Sequence, residues 1–269
     1  MRIGQNIQVV GDIKSGGTSN LFLAVDLFTG NRVAVKELKP GFFANEMVRQ
    51  KFKEEANRYL YLQHPNIVRL KDFLDTGDTC YLVMEYIEGH DLSDYISKVS
   101  GPLPIYSIAL IMNEVLSALE YAHKQNLIHL DIKPSNIMLT HDDRVKIIDF
   151  GIAHDKTKGK LQTVMGSPGY MSPEQISGEE INHLTDIYSI GITIFEMLSG
   201  HLPFRNCETK EALFHAIKTQ ELPEVTVSFE TDLIHEQEIN RILRKATAKN
   251  PSERFQNCVS LQTELLQFL

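Results

Sequence analysis

Between residues 7 and about 87 the chain returns repeatedly to short runs of Val, Ile and Leu separated by turn-forming clusters: IQVVGDI, SGGTSN, NLFLAV, FTGN, RVAVKEL, NIVRLKDFL, DTGDT and CYLVMEYI. Runs rich in β-branched residues and bounded by Gly, Asn and Asp are strand signals, so this part is expected to form a mainly antiparallel sheet. One helix interrupts it. Val48, Phe52, Glu55, Tyr59 and Leu62 recur every three or four residues, which predicts a helix over about 44–62. His64-Pro65-Asn66 closes it, because the residue before a proline resists the helical conformation. After Gly89 the period lengthens: PIYSIALIMNEVLSALEYAHKQ and LTDIYSIGITIFEMLSG read as long helices, the second stopped by Gly200 and Pro203. The expectation is an α+β chain in two lobes, a β-rich one over about 1–87 with one main helix and a larger, mainly α-helical one over about 88–269. With no repeat or low-complexity linker between them, the lobes are expected to pack directly and leave a cleft where ligands bind.

Composition changes this picture little. With 269 residues, 42% hydrophobic and 23% charged, the chain is ordinary for a globular protein large enough to bury a sizeable core. A formal charge of -8 argues against a nucleic-acid surface, which needs clustered cations; only KTKGK, Lys156 to Lys160, is basic, and it reads as a solvated loop. Cys80, Cys207 and Cys258 are far apart without metal-ligand spacing, which fits reduced thiols in the cytoplasm. The polar start MRIGQNIQVVGDIK does not resemble a signal peptide. The apolar run DIYSIGITIFEML carries Glu196 and falls short of the roughly 20 residues a membrane span needs, so no membrane association is expected.

Candidate chemistry gathers in IHLDIKPSNIMLTHDDRVKIIDFG, residues 128–151. Asp131, Lys133 and Asn136 punctuate an apolar stretch, a short hairpin follows, and Asp149-Phe150-Gly151 closes it. A carboxylate five residues before an amide, with a second carboxylate after the hairpin, offers one group to orient a hydroxyl and two oxygen ligands for a hard cation such as magnesium. Either motif alone reads equally well as an Asx-rich turn capping its own backbone. Upstream, alternation in RVAVKEL puts Val33 and Val35 on one face and Ala34 with Lys36 on the other. An ammonium on an apolar strand wants an anion, and Glu55 on the following helix is the candidate. The glycines of KSGGTSN leave backbone N–H groups bare enough to approach phosphate, although such turns also join plain hairpins.

In order along the chain, VAVK, the Glu of FKEEA, LVMEYIEGHD, HLDIKPSN, DFG, GSPGYMSPE, DIYSIG and NPSERF resemble the signature set of eukaryotic-like (Hanks-type) serine/threonine protein kinases, the bacterial single-domain sort included, from about Val10 to Phe268. The resemblance implies an ATP-dependent transfer of the γ-phosphoryl group to a protein Ser or Thr hydroxyl. Asp131 would take or orient the hydroxyl, Lys133 would sit at the γ-phosphate, and Asn136 and Asp149 would hold Mg2+, with Mn2+ as an alternative. Nucleotide would be bound by Ile13, Gly16, Gly17, Leu21, Ala34, Lys36, Glu55, Met84, Glu85, Ile87, Asp91 and Met138. Here Lys36 pairs with Glu55, Met84 stands at the gate to the back pocket, and the backbone of Glu85 and Ile87 faces adenine. Thr157, Thr163 and Ser167 fall in the activation segment, and self-association for trans-autophosphorylation belongs with that expectation. The resemblance also makes Tyr59, Leu70, His129 and Phe150 a packed column, Asp186 the anchor of the loop backbone, and Glu174 the partner of Arg254. His129 is thus a core histidine rather than a base.

Three features, at four positions, depart from the family pattern. Lys14 and Ser19 replace the outer glycines of the Gly-rich loop, which implies a stiffer, more polar loop. Leu130 stands where many relatives carry an arginine that grips an activation-segment phosphate; Lys51 and His154 remain as weaker cationic partners. Ser135 occupies a position where kinases preferring basic peptides have glutamate, so no arginine preference is implied. Two other functions stay open. One is a nucleotide-binding pseudokinase, against which Lys36, Glu55, Asp131, Asn136 and Asp149 are all present. The other is a small-molecule phosphotransferase, against which Lys133-Pro134 and GSPGYMSPE point to a protein substrate.

Overall fold

The structure is a computed structural model that describes residues 1–16, 19–150, 154–155 and 166–269 and, within these, not the side chains of Lys51, Glu55, Arg58, Tyr61, His154 and Asp155. Its described residues divide into unit 1, Met1–Glu88, and unit 2, Gly89–Leu269.

Unit 1 is built on a six-stranded antiparallel sheet, β1 (Arg2–Ile3), β2 (Ile7–Ser15), β3 (Ser19–Asp26), β4 (Arg32–Leu38), β5 (Leu70–Asp75) and β6 (Cys80–Glu85), in the order β1-β2-β3-β4-β6-β5. The alternation expected in β4 is present: Val33 and Val35 are fully buried in a core with Ile3, Ile7, Ala24, Tyr81 and Val83, while Ala34 and Lys36 on the other face are half-buried. Strand β2 breaks that rule. Its pairing with β3 shifts between Val9 and Gly11 and again between Asp12 and Lys14, and each bulge turns an apolar side chain out, Val10 and Ile13 being exposed. A short helix α1 (Pro40–Phe43) precedes α2 (Glu46–Tyr61). The helix α2 starts later than its hydrophobic period predicts because Asn45 is extended and its side chain accepts the N–H groups of Met47 and Val48. Its buried stripe is Phe52, Ala56 and Tyr59. Strand β5 begins only at Leu70; the preceding Asn66 to Arg69 are not strand.

Unit 2 begins with β7 (Gly89–Asp91) and α3 (Leu92–Asp94), which runs into a π-helical turn, Tyr95–Ser100, ended by Gly101 at φ 72°. Helix α4 (Ile105–Lys124), α6 (Leu184–Ser199), α8 (Glu236–Ala246) and α9 (Cys258–Leu266) form the helical core, with α5 (Pro173–Ser177) and α7 (Lys210–Thr219) around it. Between α4 and α5 run β8 (Leu127–Ile128), β9 (Ile137–Thr140), β10 (Val145–Ile147) and β11 (His154–Asp155). They pair as β10-β9-β7 and β11-β8. Sequence pattern places α4 and α6 within a residue of their observed ends. By length and composition α4 matches a membrane span better than the α6 stretch does. Ten of its residues are buried, from Ile105 to Ala122, and it packs against α9 and α6, so its apolarity is that of a core helix. Helix α6 is buried almost all round, and Gly191 lets α8 approach it: a Cβ there would lie 2.6 Å from Thr247 Cγ2.

Candidate active site

In unit 2 the loop between β8 and β9 is fixed by contacts from distant segments. Leu130 adopts φ 67°, a left-handed conformation that costs a non-glycine residue about 1–2 kcal/mol. Its N–H donates to Asp186 Oδ1 at 2.9 Å, the His129 N–H donates to Asp186 Oδ2 at 2.9 Å, and Gln175 Nε2 donates to the Leu130 carbonyl at 3.2 Å. Both faces of the strained peptide are thus held, the situation in which such a conformation persists. Burial raises the pKa of Asp186, but the His123 ring at 2.7 Å and the loop N–H groups outweigh it, so its carboxyl stays below the ordinary range. Gln175 is in place because Ser172 and Gln175 form a capping box at the start of α5. Next to it, Arg254 donates to both oxygens of Glu174, at 2.7 and 2.8 Å, with neither side chain more than 4% exposed. The Leu130 side chain is itself buried.

The turn that Leu130 makes presents Asp131, whose two oxygens are separately held. Ser167 N–H donates to Oδ1 at 2.8 Å; Lys133 Nζ and Asn136 Nδ2 donate to Oδ2 at 2.7 and 3.2 Å. Lys133 Nζ also donates to Ser167 Oγ at 2.5 Å, so Ser167 meets Lys133 through its hydroxyl and Asp131 through its backbone N–H. Asp131 and Lys133 keep 15% and 21% side-chain exposure, enough for a substrate to reach them. Asn136 donates a further bond to the Asp131 carbonyl at 2.9 Å, which turns its amide hydrogens towards Asp131 and leaves Oδ1 as its donor atom for a cation.

Asp149 is exposed and also left-handed, φ 67°, while Phe150 is fully buried with its ring 4.5 Å from that of His129. Full burial holds His129 below the ordinary imidazole range against the pull of Asp186, Asp131 and Asp149, so it is a neutral packing residue. Among the described residues no group of three His, Cys, Asp or Glu converges. Asn136 Oδ1 and the Asp149 carboxylate are oxygen donors of the type that magnesium takes together with phosphates and water.

The remaining site candidates fall in two places. In unit 2, Asp91 and Met138 are register partners across β7 and β9, and Asp91 also caps α3 by accepting the Asp94 N–H. In unit 1, Leu21 lies opposite Lys36, and Ala34 lies between Leu23 and Met84. Met84 is buried, Glu85 donates its N–H to the Arg69 carbonyl at 3.0 Å, and Ile87 is half-buried. Gly16 differs from expectation. Its N–H donates to the Ser19 carbonyl at 2.8 Å and its carbonyl accepts Lys39 Nζ at 2.6 Å, so the turn closes on itself and that amide is not bare. Gly17, Gly151, Thr157, Thr163 and the KTKGK run lie outside the described residues, as do the side chains of Glu55, Lys51 and His154.

Sequence reasoning missed Gln175, His123 and the pair Tyr170–Glu196, whose hydroxyl donates to the carboxylate. Burial pushes both of these groups up. A legible signal existed for Gln175, since Ser172 followed three residues later by Gln is a helix start; His123 and Glu196 carry no local mark.

The protein kinase domain model matches residues 7–266. Curated relatives include the serine/threonine-protein kinase PrkC of Bacillus subtilis, 34% identical over 267 residues, which cover 98% of this chain and 40% of the relative. The serine/threonine-protein kinase PknB of Mycobacterium leprae is 32% identical over 270 residues, covering 96% of this chain and 42% of the relative. The serine/threonine-protein kinase PksC of Streptomyces coelicolor is 34% identical, covering 98% and 49%. The chain thus spans less than half the length of these relatives.

Proposed function

Because the chain belongs to the protein kinase domain family, we propose that it transfers the γ-phosphoryl group of Mg-ATP to serine and threonine hydroxyls of proteins, itself included. The observation that carries the reading is the clamped Asp131, with one oxygen on the Ser167 amide and the other on Lys133 and Asn136. A carboxylate so held cannot swing, so an incoming hydroxyl meets an acceptor of fixed direction, which is where positioning lowers a barrier. In the transfer, the acceptor oxygen bonds to the γ-phosphorus, the bond from that phosphorus to the bridging oxygen breaks, and the hydroxyl proton passes to Asp131. Lys133, already beside Asp131, offsets charge on the moving phosphoryl oxygens. Asn136 and Asp149 are the protein ligands for Mg2+ or Mn2+, which when bound neutralises phosphate charge. The roles of Ile13, Gly16, Gly17, Leu21, Ala34, Lys36, Glu55, Met84, Glu85, Ile87, Asp91 and Met138 in holding the nucleotide rest on the family.

Leu130 makes this an HLD catalytic loop. A buried leucine offers no donor to a phosphate, so catalysis is proposed not to depend on activation-segment phosphorylation. The free cysteines, two of them buried, support a reducing cytoplasmic setting. Incubation with γ-labelled ATP and a panel of protein and metabolite acceptors tests the whole. Label on protein Ser and Thr is expected. Label on a metabolite would indicate a small-molecule phosphotransferase, and nucleotide binding without transfer a pseudokinase.

A further inference from the structure

Behind the catalytic loop, the first residue of α9 touches the chain of hydrogen bonds that holds it. Cys258 Sγ lies 3.5 Å from His123 Nδ1, in the last turn of α4. The opposite ring nitrogen, Nε2, lies 2.7 Å from Asp186 Oδ2, and Asp186 accepts the His129 and Leu130 N–H groups. Cys258 and Asp186 are fully buried, and the His123 side chain is 7% exposed. We infer that Cys258 is a positioning residue for phosphoryl transfer: its S–H donates to His123 Nδ1, fixing the ring with Nε2–H on Asp186 and so steadying the strained Leu130 peptide that aims Asp131.

Donor and acceptor roles follow from what each group can offer. A carboxylate only accepts, so Nε2 must carry the hydrogen that faces Asp186. In a neutral ring Nδ1 is then a lone pair, buried, and needs a donor. Burial pushes the Cys258 thiol well up, so its proton is retained for that purpose. The other titratable groups around the ring do not take this place. His183, with its ring 5.5 Å away at the start of α6, has Nε2 on the Gln256 carbonyl at 2.9 Å. Glu120 and Lys124, on the same helix as His123, pair with each other at 3.4 Å, and His129 contributes its backbone N–H to the far side of Asp186.

The inference rests on the kinase reading, and two measurements keep their fates separate. Side-chain 15N shifts of His123 in the wild-type protein report the tautomer whether or not the protein is active. The Nε2–H form with an accepting Nδ1 is expected at neutral pH, and a proton on Nδ1 overturns the inference. In the wild-type enzyme compared with Cys258→Ala and Cys258→Ser, the alanine variant is expected to lose roughly three- to tenfold in kcat, the worth of one hydrogen bond. KM should not move, and serine, which restores a donor, should recover the loss. A Cys258→Ala enzyme with wild-type kcat, or a Cys258→Ser enzyme no better than the alanine variant, overturns the inference while leaving the kinase reading standing. Should the alanine variant fail to fold, the wild-type tautomer decides.

Discussion

Replacing Arg254 by Met removes one half of a buried ion pair and leaves the other in place. In the native protein the guanidinium donates to both Glu174 oxygens and to the carbonyls of Leu184, Ala248 and Lys249. Methionine fills most of the volume but gives none of these bonds, so the Glu174 carboxylate is stranded at 4% exposure with neutral donors, the Thr185 hydroxyl at 2.8 Å and a backbone N–H, in place of the cation. Breaking one side of such a pair costs about 3–5 kcal/mol, most of it from the uncompensated charge. For a domain the size of unit 2, at about 2–4 °C per kcal/mol, the melting temperature should fall by roughly 6–20 °C. Adding Glu174→Gln to Arg254→Met removes the stranded charge, so the double variant should lose less than the two single losses combined, with a coupling of about 1–3 kcal/mol. Thermal and urea unfolding of the four proteins measure this. An Arg254→Met cost below about 1 kcal/mol, or strict additivity, would refute the claim that the pair is closed off from water.

Asp186→Asn should lower kcat by about 10- to 100-fold at nearly unchanged ATP affinity, because an amide cannot accept from two backbone N–H groups and His123 as a carboxylate does; steady-state kinetics check the split. The double variant Thr157→Ala, Thr163→Ala should keep its turnover, since Leu130 offers no grip for an activation-segment phosphate; a collapse in a folded variant would count decisively against independence. Stability should fall in acid. Glu174 and Asp186 are held below their ordinary values of 4.5 and 3.8, against the upward push of burial, by Arg254 and His123 respectively. Their contribution is therefore full above those values and lost as pH falls below them through the native values. Urea midpoints that hold level from neutrality to about pH 5 and then drop, with a blunter drop in Glu174→Gln, are the expected result.

Local pattern carried the regular elements and stopped where contacts became long-range. The alternation of Val33, Ala34, Val35 and Lys36 is written in β4, and the apolar periods of α4 and α6 mark those helices. The bulges that expose Val10 and Ile13 are not written, because a bulge is an offset between two strands and neither sequence shows it alone. The hydrophobic stripe starts α2 two residues early because it carries no information about the cap, which Asn45 supplies. At the site, the residue types of HLDIKPSN and DFG mark candidates for orienting a hydroxyl and binding a cation. The device that aims them was not: Leu130 is a residue for which φ 67° is costly, and its holder Asp186 is 56 positions away. Family resemblance supplied that link where composition and period could not. It did not supply Cys258, which meets His123 across 135 positions.

Asp131, fixed by Ser167, Lys133 and Asn136, is proposed to take the proton of the attacking hydroxyl. Single-turnover phosphoryl transfer from Mg-ATP to a protein acceptor, compared between wild type and Asp131→Asn under matched nucleotide occupancy, tests it most directly. Transfer to serine and threonine by the wild-type protein is expected, with a loss of about 100-fold or more in the variant at unchanged ATP binding. Transfer by Asp131→Asn at the wild-type rate would contradict it.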